Sequence, residues 1–226
     1  LSFQLQDEEW NKLTQKVYRF VSETIPDRDP SAQIQIVFTD MNGCMGYVER
    51  GNTRRIQIST AIKSHVDFQV ILVHELTHTL RHMHQSNEEH WLDEGLAKWM
   101  EWKYIDDFPT HYQAAFQAAT EVHLPKESFN CHSGYKEYFN AYLLVLYLHN
   151  HFGGAKLITT LATSSLSGWE NIELSLLQMK TNKIINIPEQ YYARKSILRH
   201  FGLALMLNDP FAAHYAFLQV APKFQA

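Results

Sequence analysis

The 226-residue chain predicts an α+β fold. A small, mainly antiparallel sheet and one long helix form an N-terminal lobe, about residues 1–86, and an all-helical C-terminal lobe follows, about 87–226. Three observations predict it. Gln33–Phe38 alternates and then runs apolar, and Arg55–Ser59 alternates cleanly, the patterns of strands. Beyond Glu88 the apolar residues recur at helical spacing. Between the two regions stands His74-Glu75-Leu76-Thr77-His78, preceded by an unbroken apolar run. The two lobes are read as one domain, because a chain of this length buries one substantial core.

The elements follow in order. Residues 6–24 set Trp10, Leu13, Val17, Phe20 and Val21 on one helical face. Pro26 and Pro30 frame a loop ahead of the first strand. Met41–Gly46 is rich in turn residues and leads into a short strand at Gly46–Glu49. Gly51-Asn52 turns the chain back into Arg55–Ser59. Phe68–Val73 is apolar throughout, and Leu76 and Leu80 continue it at helical spacing, which predicts a helix buried on most sides. Further helices are expected at about 91–106, 110–121, 135–151, 154–164, 168–179, 188–207 and 210–219. No internal repeat or low-complexity tract interrupts them.

The pentapeptide matches H-E-x-x-H, and the spacing has a mechanism. On a helix, residues i and i+4 share a face, so His74 and His78 can converge on one metal ion. Glu75 projects beside that face, where a carboxylate can polarise a water. A helix buried on most sides should not carry His, Glu and His without partners, because desolvating them is costly. The ordinary alternative is a surface helix with solvated histidines.

A catalytic zinc site commonly takes three protein ligands and keeps one position open. His82 lies about 12 Å along the axis from His74, so the three histidines of this helix cannot share one ion. His84 completes a His-Glu-x-x-His-x-x-Arg-x-x-His run that is similar to the metzincin spacing, with Arg81 where that family has Gly. The family's Gly turns sharply at positive φ, where Arg would be strained by about 1–2 kcal/mol. Glu94, in Trp91-Leu92-Asp93-Glu94-Gly95-Leu96-Ala97, is the remaining candidate. Leu92, Ala97, Trp99, Met100, Tyr104 and Ile105 form an apolar stripe around it, and Gly95 follows where a side chain would crowd the first helix.

HELTH followed by W-L-x-E-G-x-A resembles the gluzincin group of zinc metallopeptidases, peptidase MA-like enzymes. The resemblance covers about residues 68–155 and is specific at the two motifs. It implies one Zn²⁺ per chain held by His74, His78 and Glu94, with Glu75 as the catalytic base. It also implies an oxyanion donor, on a later helix, at Tyr138, with Tyr135 or Tyr142 as fallbacks; if none of the three serves, the donor lies elsewhere, for example at His132. It gives Gly43–Glu49 the role of a sheet edge that pairs with extended substrate, where Gly43 and Gly46 would allow close backbone approach. An ordinary glycine-containing hairpin accounts for that segment equally well.

The implied activity is zinc-dependent hydrolysis of peptide bonds in a peptide or protein substrate. The lean is to an endopeptidase, since no amine-binding Glu motif precedes HELTH. Two alternatives stand: a metallohydrolase acting on a non-peptide amide, and an inactive metallopeptidase-like binding protein, for which Glu75 would have no use. The net charge of −4 offers no basic field for nucleic acid. No apolar run approaches the roughly 20 residues that span a bilayer. Cys44 and Cys131 form no disulfide framework and no metal-knuckle spacing, so two thiols are expected, with a single disulfide as the alternative. The compartment is open, with a lean to a secreted or extracytoplasmic place.

Overall fold

A computed structural model describes residues 7–41, 43–49, 54–62, 64–84, 87–105, 135–186, 188 and 191–206, without the side chains of 7, 135–139 and 203–206. Among them are seven helices and a three-stranded sheet, a helix-dominated α+β architecture. In chain order they are α1 (Asp7–Thr24), β1 (Gln35–Thr39), β2 (Gly46–Val48), β3 (Arg55–Ser59), α2 (His65–His82), α3 (His90–Ile105), α4 (Tyr135–Phe152), α5 (Gly154–Thr163), α6 (Gly168–Thr181) and α7 (Arg194–Met206).

The sheet order is β1-β3-β2. β2 runs antiparallel to β3, with Tyr47 opposite Gln57, as the expected hairpin requires. β1 instead pairs with β3 in parallel, from Gln35 against Arg55 to Thr39 against Ser59. The expectation of a mainly antiparallel sheet is therefore corrected to a mixed one. Alternation fixes which face of a strand is buried, and it carries no information on the direction of its neighbour. The hairpin places β2 on one edge of β3 and leaves the other edge for β1.

α2 starts at His65, three residues before the apolar run, because the Ser64 side chain accepts from the Asp67 amide and caps the helix. Phe68, Leu72, Val73, Leu76 and Leu80 are buried, and α2 lies against α1, α3, β2 and β3. α3 packs on both α2 and α4. α7 begins at Arg194, not at 188: the Pro188 carbonyl closes a turn to the Tyr191 amide, and Ala193 accepts the first helical bonds from Ser196 and Ile197. The helices expected at 110–121 and 210–219, together with Cys131 and His132, lie outside the described residues. Cys44 is half-buried just ahead of β2. No helix among the described residues is long and apolar enough to cross a membrane.

Candidate metal centre

α2 and α3 bring the motif residues together. The apolar stripe of α2 faces the core, which leaves His74, Glu75 and His78 at the seam with α3. On α3, Leu92, Leu96, Trp99 and Met100 are buried, and Glu94 points back into the same seam. Glu94 Oε2 lies 3.1 Å from His74 Nε2, and Glu94 Oε1 lies 3.5 Å from His78 Nε2. The two Nε2 atoms are 3.0 Å apart. One ligand atom from each of the three residues falls within 4.8 Å of the others, a group that could hold a metal ion.

The other candidates for third ligand point elsewhere. His84 hydrogen-bonds through Nε2 to the Pro26 carbonyl, at 2.9 Å. His82 Nε2 faces Asp93 Oδ2 at 3.2 Å. α2 continues through Arg81, so the positive-φ turn that would fold His84 back does not form, and the strain expected of Arg81 does not arise. Gly95 also has a different neighbour from the one expected. A Cβ there would meet the Ala141 carbonyl oxygen at 2.8 Å and Val145 Cγ2 at 2.9 Å, so the glycine makes room for α4 and not for α2. Close packing and an inward Glu94 turn out to be compatible.

Each histidine has a carboxylate behind it. His74 Nδ1 bonds Glu101 Oε1 at 2.6 Å, and Glu101 also accepts from Lys98 Nζ at 2.9 Å. His78 Nδ1 sits 2.8 Å from Asp93 Oδ2, a close ion pair, although the ring N–H is not aligned well enough for a hydrogen bond. A carboxylate on the far nitrogen orients the ring and raises the basicity of the near one, the usual outer support of a histidine ligand. Neither Asp93 nor Glu101 was singled out from the sequence. Glu101 had a signal: Glu94, Lys98 and Glu101 follow one helical face at i, i+4 and i+7. Asp93 had none beyond adjacency to Glu94.

The charges are strongly coupled. Burial works against the His74 imidazolium, but hydrogen bonds to Glu101 and Glu94 outweigh it and hold its pKa at about 9. His78 is likewise held well above its ordinary value, burial being overcome by Asp93 and Glu94. Burial would raise Glu94, yet His78 and His74 pull it below the usual carboxylate range. Glu101 is held down at about 2, where burial is outweighed by Lys98 and His74. Glu75 behaves in the opposite way. Burial pushes its carboxyl up, against the pull of His74 and His78. It therefore holds a proton more readily than an exposed glutamate.

Tyr138 lies on α4, one turn before Ala141 and Tyr142, and its side chain is outside what the structure describes, as is that of Tyr135. Tyr142 is buried. β2 is one of the two edge strands of the sheet, with Tyr47 exposed on it. Gly46 does make a close backbone approach, but to Glu75 and Ile71 of α2. Neither the family models nor the curated proteins searched contain a match to this chain.

Proposed function

We propose that this protein is a zinc-dependent peptidase of gluzincin type, acting as an endopeptidase. The observation that carries the reading is the convergence of His74, His78 and Glu94 in one buried seam with the Glu75 carboxylate beside it.

The donor set fits zinc. Two imidazole nitrogens and one carboxylate are a common catalytic zinc set, which leaves a fourth position open. Glu94 Oε2 is buried and faces His74 Nε2 at 3.1 Å without the alignment of a hydrogen bond, so a cation held by both atoms would satisfy each of them. Both histidines already carry the outer carboxylates that such ligands use. A second group, His78, His82 and Asp93, has similar spacing, but the Arg81 guanidinium already neutralises Asp93. We therefore assign one ion per chain to the His74, His78 and Glu94 group.

Zinc, when bound, supplies Lewis acidity to the scissile carbonyl and to the attacking water. The chain's own residues do the rest. Glu75 takes a proton from water as its oxygen bonds to the carbonyl carbon. It delivers that proton to the amine nitrogen as the C–N bond breaks, so the cycle restores the carboxylate. Tyr138, on the helix that packs over Gly95, is assigned as the donor to the carbonyl oxygen as negative charge develops there. The outer edge of β2 is assigned to extended substrate, because it is the strand in contact with Glu75 through Gly46. The centre then lies between a sheet-bearing N-terminal lobe and a helical C-terminal one, a usual place for a cleft.

The test is cleavage of a diverse peptide library by zinc-loaded protein, with products mapped by mass spectrometry. Internal cuts that disappear with a chelator and return with zinc are expected. Release of single terminal residues would replace the endopeptidase reading with an exopeptidase one. No cleavage by zinc-loaded protein would overturn peptidase function.

A further inference from the structure

Arg81 is the one fully buried cation among the described residues, at 0% exposure, on the α2 turn just beyond His78. Its guanidinium forks between two carboxylates. Nη1 donates to Asp93 Oδ1, and Nη2 donates to Glu88 Oε2 at 2.5 Å. The other oxygen of Asp93 is the one that sits 2.8 Å from His78 Nδ1.

Glu88 extends the chain of contacts across the molecule. Its carboxylate accepts from the amides of Glu89, at 2.9 Å, and Gly168, at 2.5 Å, and from Asn171 Nδ2 at 3.2 Å. Gly168 and Asn171 belong to the first turn of α6. Ser167 makes no side-chain cap bond there; its hydroxyl accepts from the Glu89 amide instead. Glu88 thus caps α6 from another part of the chain, with negative charge at the positive end of the helix. The fit is tight: a Cβ at Gly168 would come within 2.2 Å of the Glu89 carboxyl carbon.

A buried ion pair of this kind is poorly explained by stability alone. Well-packed apolar residues of similar volume often do as well or better. What the fork supplies that apolar residues cannot is a fixed orientation of Asp93, one oxygen toward Arg81 and the other toward His78. A planar guanidinium does this better than a Lys point charge.

We propose that Arg81 and Glu88 are positioning residues of the metal centre. They hold Asp93, and through it the His78 ring, and they make the geometry of the centre depend on the docking of α6. The inference rests on the metal reading of His74, His78 and Glu94.

The experiment measures Zn²⁺ affinity by competition with a chromogenic chelator, and the visible spectrum of the Co²⁺-substituted protein. The wild type is compared with Arg81→Lys and Glu88→Gln. Arg54→Met serves as a stability control, since it removes the Arg54–Asp27 ion pair without touching the centre. Arg81→Lys should weaken Zn²⁺ by about 10–100-fold and change the Co²⁺ spectrum. Glu88→Gln should act in the same direction by less. Arg54→Met should lower the melting temperature and leave affinity and spectrum unchanged. Wild-type affinity and spectrum in both site variants would overturn the proposal. So would affinity losses that track melting temperature across all three variants, Arg54→Met included. A wild type that binds neither ion removes the metal centre itself, a different result from a wild type that binds and variants that do not differ.

Discussion

The backbone of Gly46 lies against the side chain of Glu75: a Cβ at Gly46 would stand 2.5 Å from Glu75 Oε1 and 2.7 Å from Ile71 Cγ2. No side chain fits between β2 and α2 at this point, so the glycine sets where the carboxylate sits. Gly46→Ala should therefore displace Glu75. Overpacking of this kind costs about 1–3 kcal/mol. The variant should lose that much stability and lose kcat as well, while its zinc content holds. Urea unfolding and turnover on one peptide check both, and a variant with wild-type kcat would detach Glu75's position from its role.

Glu75 is assigned as the base and not as a ligand. Glu75→Gln should keep the fold and the zinc and lose about 10²–10⁴ in turnover. The check is kcat per bound zinc. Substantial turnover in fully zinc-loaded Glu75→Gln would rule out the assigned role.

The metal-free protein should depend on pH through His74. Its pKa is raised from 6.5 to about 9, so its stabilising contribution is complete below 6.5 and is lost as pH rises through about 9. The melting temperature of chelator-treated protein should fall across that interval. A histidine must be neutral to bind metal, so Zn²⁺ binding at pH 7 should release protons. Calorimetric titration in two buffers of different ionisation enthalpy reads this directly. Identical heats in both buffers would contradict the charged state assigned to His74 and His78.

Tyr138→Phe removes only a hydroxyl. Loss of one oxyanion donor costs about 10²–10³ in turnover, with KM, zinc content and melting temperature nearly unchanged. Tyr142 is buried, so Tyr142→Phe should show its effect in stability rather than kcat. The reverse pattern would place the donor one turn further along α4.

The sequence carried the centre further than it carried the sheet. Helical period puts His74 and His78 on one face without any knowledge of the partner elements, because i and i+4 spacing is a local property, whereas Glu94, on another helix, was reached only through the resemblance of its motif. The parallel pairing of β1 with β3 is non-local, and alternation alone does not encode it. Arg81 was legible only as an obstacle to a sharp turn. Its use as a clamp depends on Glu88 and on Gly168, eighty residues beyond Glu88, which no short-range pattern connects. Gly95 and Gly46 were both readable as sites of close approach, while the surfaces they approach, α4 and Glu75, came only with the tertiary structure.

The most direct measurement is metal content by elemental analysis of the purified wild type, Glu94→Ala and His84→Ala after zinc loading and desalting. His84 is committed to the Pro26 carbonyl, whereas Glu94 faces both histidines. About one zinc per chain in the wild type and in His84→Ala, with most of it lost from Glu94→Ala, is the result expected of a site with two His and one Glu as ligands. Zinc retained by Glu94→Ala and lost from His84→Ala, or no zinc in the wild type, would contradict it.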